Sequence, residues 1–147
     1  MEYGKSRWVL GHHVKPLETA VEFALMEIRS PAGVPGPPPH YHDAISEFFY
    51  VVRGRLDLMT DGEWRTLNPG DSAVAPPGTV HTFINNGEED ALWLTTFSPR
   101  GFERFFEDFG VTEDGEKGFL ASVAPDVLAR VGATCGDYGM IIKEHVR

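Results

Sequence analysis

The sequence predicts an all-β fold carrying a short helical extension at its C-terminus. Three observations predict it. Short runs rich in β-branched and aromatic residues recur between turn signals. The 16 glycines and 11 prolines punctuate the whole chain instead of gathering in one linker. Only after Pro99 does the apolar spacing change to steps of three and four.

The expected strands, in order, are Phe23 to Ile28, Phe48 to Val52, Leu56 to Met59, Trp64 to Leu67, Ser72 to Ala75, Thr82 to Asn85 and Ala91 to Phe97. Asp61-Gly62 joins the third and fourth as a tight hairpin, because both central residues of a type I′ turn need φ > 0. The segment Gly33 to Pro39 should run extended without joining a central strand, since proline fixes φ and lacks a backbone donor. In the second strand, alternation turns Phe49 and Val51 to one side and Phe48, Tyr50 and Val52 to the other. Both faces are apolar, so both are expected to be buried.

Phe102, Phe105, Phe106 and Phe109 then predict a short amphipathic helix laying its aromatic face on the β unit as core packing. Pro125 to Val131 predicts a second helix, with proline in its first turn and Gly132 at its end, and Tyr138 to Ile142 a final extended segment. The division expected is therefore a β unit over 1–99 and an extension over 100–147. The extension carries Glu103, Glu107, Asp108, Glu113, Asp114, Glu116 and Asp126, an acidity that excludes a helix-turn-helix reader of DNA.

Composition narrows the function classes further. A net charge of −9 opposes binding to phosphate backbones, so nucleic acid is not an expected partner. Cys135 is the single cysteine, which rules out an intramolecular disulfide and a cysteine-rich zinc site. Trp8-Val9-Leu10 is the longest apolar run near the N-terminus, too short for a signal peptide or a membrane span; the expectation is a cytoplasmic protein with no membrane partner.

The candidate chemistry lies in four residues. His40 and His42 stand two apart, and strand alternation points both imidazoles to one side. Glu47 follows His42 at an odd offset, so a bend or bulge within Asp43 to Ser46 must re-aim it. His81 can be brought alongside by a neighbouring strand. His12 and His13 are adjacent and would point to opposite faces, so joint ligation is not expected; His145 reads as a surface residue.

These residues stand in a recognisable order. His40, His42, Glu47 and Gly54, followed by Gly70, Pro76, Gly78, His81 and Asn85, resemble the two sequence motifs of the cupin family. The second motif is matched at every named position, which average residue usage would produce about once per million positions. One position departs: Val34 stands where the family usually has a glycine before the first histidine. The resemblance, carried by residues 33–54 and 70–85, implies the cupin double-stranded β-helix, a jelly-roll barrel, and a metal site made by His40, His42, Glu47 and His81.

Three imidazoles and one carboxylate suit one divalent transition metal, Fe, Mn, Ni, Co, Cu or Zn, with at least one position open to a ligand. The segments around the motifs resemble single-domain quercetin 2,3-dioxygenase-like cupins. That implies a metal-dependent dioxygenase acting on a small aromatic or enolisable substrate, with Glu47 also a candidate catalytic proton acceptor. The alternative is a non-redox isomerase, or a cupin that binds or senses a small molecule without catalysis. Phe49, Val51 and Phe83 are the candidate pocket residues and favour an apolar or aromatic ligand. Resemblance also implies a homodimer, for which covering an exposed sheet edge is a physical reason.

Overall fold

In a computed structural model the chain is described over residues 2–143. Its strands are β1 (Arg7–Val9), β2 (His12–Leu17), β3 (Ala24–Ser30), β4 (His40–His42), β5 (Ser46–Arg53), β6 (Leu56–Thr60), β7 (Glu63–Leu67), β8 (Ser72–Ala75), β9 (His81–Ile84), β10 (Ala91–Ser98) and β11 (Met140–Ile142). Three helices, α1 (Glu103–Phe109), α2 (Gly115–Ser122) and α3 (Pro125–Thr134), lie between β10 and β11. The strands form a six-stranded sheet, β1-β2-β3-β10-β5-β8, facing a five-stranded sheet, β11-β4-β9-β6-β7. Every pairing is antiparallel.

Alternating side chains from both sheets fill the space between them. Met26 and Ile28 of β3, Phe49 and Val51 of β5, Leu56 and Leu58 of β6, and Trp93 and Phe97 of β10 are all buried there. The hairpin forms where the sequence asks for it: Asp61 (φ 47°) and Gly62 (φ 89°) turn β6 into β7. Gly33 to Pro39 runs beside β9, touching it at the isolated Pro35–Ile84 bridge and through the Gly36 N–H to the Phe83 carbonyl, 2.8 Å. Gly36 is required there, because a Cβ would lie 2.7 Å from that same carbonyl oxygen.

Several expectations are corrected. The outer face of β5 is not buried: Phe48, Tyr50 and Val52 are 37%, 37% and 43% exposed. The helices pack on β1 and on the turn that precedes the C-terminal strand, which leaves this face without a covering layer among the described residues. Gly132 lies inside α3 instead of ending it. The left-handed residue that stops the helical path is Gly139 (φ 75°), after a 3-10 turn over Cys135–Tyr138, so the last strand starts only at Met140. β1, β2 and α2 carried no readable signal. In β2 the buried positions are His12, Val14 and Pro16, whose mixed chemistry hides the alternation. In α2, Gly118 interrupts the helical pattern because a Cβ there would strike the Glu113 carbonyl and also come within 2.6 Å of Trp8.

The chain between β4 and β5 crosses from the small sheet to the large one. This answers the odd offset of Glu47: the residues at 43–45 carry the chain across the barrel, and the carboxylate faces the histidines from the opposite sheet.

Candidate metal centre

His40 and His81 are direct cross-strand partners on β4 and β9, which puts both rings on the inner face, and His42 joins them by alternation. The ring centroids of His40 and His81 are 4.4 Å apart, and His42 lies 5.1 and 5.3 Å from those two rings. Glu47 reaches in from β5. Its Oε1 is 3.1 Å from His81 Nε2 and 3.3 Å from His42 Nε2, and its Oε2 accepts a 2.9 Å hydrogen bond from Thr95 Oγ1. All four residues are buried, and one donor atom from each lies within 4.8 Å of all the others.

The backbone aims two of the rings. His40 Nδ1 is 2.9 Å from the Pro38 carbonyl and His81 Nδ1 is 2.9 Å from the Thr79 carbonyl. A carbonyl only accepts, so each Nδ1 carries a proton and each Nε2 faces the centre, where the lone pair of a neutral ring could serve a cation. Proline rigidity explains the placement. Pro37 to Pro39 fixes the approach to His40, and Pro76-Pro77-Gly78 forms a turn closed by the Thr79 N–H to the Pro76 carbonyl, with Gly78 at φ 85°. His42 Nδ1 has no partner and sits beside Phe102, 4.7 Å between centroids, and Phe97, 5.9 Å.

The electrostatics point to a cation. Burial alone would raise the Glu47 carboxyl, yet the His42 and His81 contacts prevail and hold it well below the usual carboxylate range. His40 is pushed down to about 3 by burial and by its two histidine neighbours. His81 is opposed by burial but raised by Glu47. Three imidazole nitrogens thus surround an ionised carboxylate in a dry site, and the positive charge that His81 takes up in answer to Glu47 is one that a bound cation could supply instead. A divalent ion with nitrogen and oxygen ligands fits this donor set.

The four residues form part of the wall of a cavity of about 60 Å³. Of the expected pocket residues, Phe83 lines it. Phe49 and Val51 face inward as expected but lie deeper along β5 in the packed core, where Phe49 stacks on Trp93 at 5.6 Å. Much of the remaining wall was missed from sequence, including Trp93 and Phe97 of β10, Phe102, Phe105 and Phe106, Met140 of β11, and His12. The β10 pair was recoverable, since Trp93, Thr95 and Phe97 alternate along a strand that the sequence does predict. Phe102, Phe105 and Phe106 serve as cavity wall as well as core.

His12 and His13 do point to opposite faces. His12 is buried with both nitrogens engaged, Nδ1 on Ser30 Oγ and Nε2 on the Pro35 carbonyl, each at 2.9 Å. Trp93 Nε1 donates to the same Ser30 oxygen. Burial lowers His12 to about 4, and the ring stays neutral. Asn85, the last residue of the second motif, is a structural clasp: its amide donates to the Ser30 and Glu89 carbonyls. His145 lies outside the described residues.

Residues 26–97 match the cupin domain. A quercetin 2,3-dioxygenase of Bacillus subtilis (strain 168) is 34% identical over 89 residues, 60% of this chain and 25% of that protein. A pectin degradation protein, KdgF, of Dickeya dadantii (strain 3937) is 34% identical over 62 residues, 42% of this chain and 56% of the relative. The chain therefore spans well under two thirds of both curated relatives. The solved structure of KdgF from Halomonas sp. shares 32% identity with a TM-score of 0.59, over 64% of this chain and 84% of that one. Paired antiparallel sheets, the inward cluster of His40, His42, Glu47 and His81, and these matches lead to one assignment: the chain belongs to the cupin family.

Proposed function

We propose that the protein is a metal-dependent dioxygenase in which His40, His42, Glu47 and His81 hold one divalent transition metal and a small aromatic or enolisable molecule binds beside it. The observation that carries this reading is the set of four buried donors at the wall of an otherwise apolar cavity. When bound, a redox-active ion supplies the chemistry with dioxygen that side chains lack. The histidines, preset by the Pro38 and Thr79 carbonyls, orient it. Glu47 is ionised and is the one carboxylate in the wall, so it is the group able to take a proton from a substrate hydroxyl or an enolisable carbon. Phe83, Trp93, Phe97 and the helical phenylalanines keep bulk water out.

The likeness to KdgF favours a second reading, non-redox isomerisation or simple binding of a small molecule. The cavity weighs against a sugar-like ligand. Beyond the four donors the polar side-chain groups in its wall are those of His12 and Trp93, whose nitrogens are all taken, so each sugar hydroxyl would lose its water partners at about 1–3 kcal/mol. The test is metal analysis of protein purified without added ions, followed by oxygen uptake with flavonols, catechols and 1,3-diketones. Iron, manganese, nickel, cobalt or copper with oxygen consumption supports the dioxygenase; zinc alone with no uptake overturns it.

We infer that two copies pair through the uncovered face of the large sheet. The row Phe48, Tyr50 and Val52, continued by Val74 on β8, is an apolar surface of the kind that interfaces cover. Light scattering should give twice the chain mass, and Tyr50→Glu should halve it.

A further inference from the structure

We infer that the C-terminal extension, not the barrel, sets the size of the molecule admitted to the metal position, restricting it to compact chelating ligands without an aromatic ring. This rests on the proposal that the four donors hold an ion with an open position. It narrows the substrate from small aromatic or enolisable molecules to enolisable aliphatic ones.

The cavity measures about 60 Å³. A dry protein cavity of about 150 Å³ is what holds one benzene. A ring therefore does not fit beside the donors, and a three-ring flavonol fits less still. The restriction comes from Phe102, Phe105 and Phe106, which line the cavity together, Phe102 lying directly against His42. Those rings interlock: Phe102 stacks on Phe105 at 4.9 Å and meets Phe106 at 5.5 Å and Phe97 at 5.0 Å. None can swing aside alone without opening a void. The helix start is tied down as well, with Glu103 Oε2 2.9 Å from Arg100 Nε, and Phe105 set edge-on to Tyr138. Apart from Phe97, these residues lie beyond residue 97, where the match to the cupin domain ends. The barrel supplies the donors, and residues outside the matched region supply the limit.

The experiment uses hydroxamates, which present one chelating group on tails of graded size, and reads binding instead of turnover. Protein loaded with cobalt(II) is titrated with acetohydroxamate and benzohydroxamate and followed by the visible bands of the ion. Wild type should prefer the acetyl ligand on the order of a hundredfold. Phe102→Ala and Phe106→Ala remove one ring each and should bring the two ligands within about tenfold of each other. Phe109→Ala, on the same helix but outside the cavity wall, should keep the wild-type preference. Should either alanine variant fail to fold, Phe102→Leu and Phe106→Leu replace them with the same expected direction. Equal binding of both hydroxamates by wild type, or an unchanged preference in folded Phe102 and Phe106 variants, overturns the inference. A retained size order in a protein that consumes no oxygen with any substrate overturns the dioxygenase reading alone.

Discussion

The donors of the barrel are held by backbone. His40 and His81 face each other across a strand pair, two carbonyls fix their tautomers, and Glu47 is anchored through Thr95 on the neighbouring strand. The wall contributed by the extension is held by side chains, with Phe102, Phe105 and Phe106 fixed chiefly by packing against one another and Phe97. Backbone ladders tolerate change elsewhere, whereas interlocked rings do not. Metal retention and ligand size should therefore be separable by mutation, the first belonging to the barrel and the second to the extension.

The largest effect expected falls on the barrel. His81→Ala should weaken metal binding about a thousandfold, roughly a quarter to two fifths of the 10–16 kcal/mol that a four-ligand site can hold. His12→Ala and His13→Ala should keep a full equivalent, as judged by metal analysis after dialysis against a weak chelator. A His81→Ala protein with stoichiometric metal would break the comparison at its root.

Next comes the extension. Phe102→Ala should cost about 4 kcal/mol of folding stability in urea titrations, the usual price of deleting a buried ring, while metal stoichiometry stays at wild-type level. Loss of metal in this variant, if it still folds, would show that the two regions are one unit.

The same division explains what could be read from sequence. The donors were legible because HxH, Glu47 and the Gly70 to Asn85 motif combine fixed spacing with turn residues whose geometry is local. The crossing at 43–45 was legible only as a parity problem: the sequence demanded a bend but could not say that it leads to the other sheet. The cavity wall was mostly hidden. Phe102, Phe105 and Phe106 read as a helical face, and whether such a face meets core or cavity depends on where the helix docks, which no local pattern encodes. Phe49 and Val51 face inward yet do not line the cavity, for the opposite reason, since facing inward does not fix depth along the barrel. The outer row of β5 misled because apolar side chains on a strand look alike whether or not another layer of this chain covers them.

A third effect concerns His12, in the N-terminal strand that precedes the region matching the cupin domain. Its folded value, about 4, lies below the unfolded value of 6.5, and burial is the leading cause. The unfolded chain therefore binds the proton first. His12 contributes its full stability above pH 6.5, and that contribution falls as pH drops toward 4, by up to about 3 kcal/mol in all. Urea titrations of metal-free wild type and His12→Gln across this window should show the steeper decline in wild type. Parallel slopes would mean that His12 takes up its proton in the folded state.

The smallest effect tests how far support for the donors extends within the barrel. Thr95 is fully buried on β10, and its hydroxyl donates to Glu47 Oε2, leaving Oε1 toward His42 and His81. Thr95→Val keeps the shape and removes the donor, so Glu47 Oε2 is left in an apolar setting and the carboxylate gains rotational freedom. Metal affinity should fall about tenfold, within the range for partners behind a ligand, and stability by about 1 kcal/mol. The hydroxamate size preference should not move, because Phe102 and Phe106 are untouched. A shift in ligand preference without a loss of metal affinity would assign Thr95 to the cavity wall and redraw the boundary between the two regions.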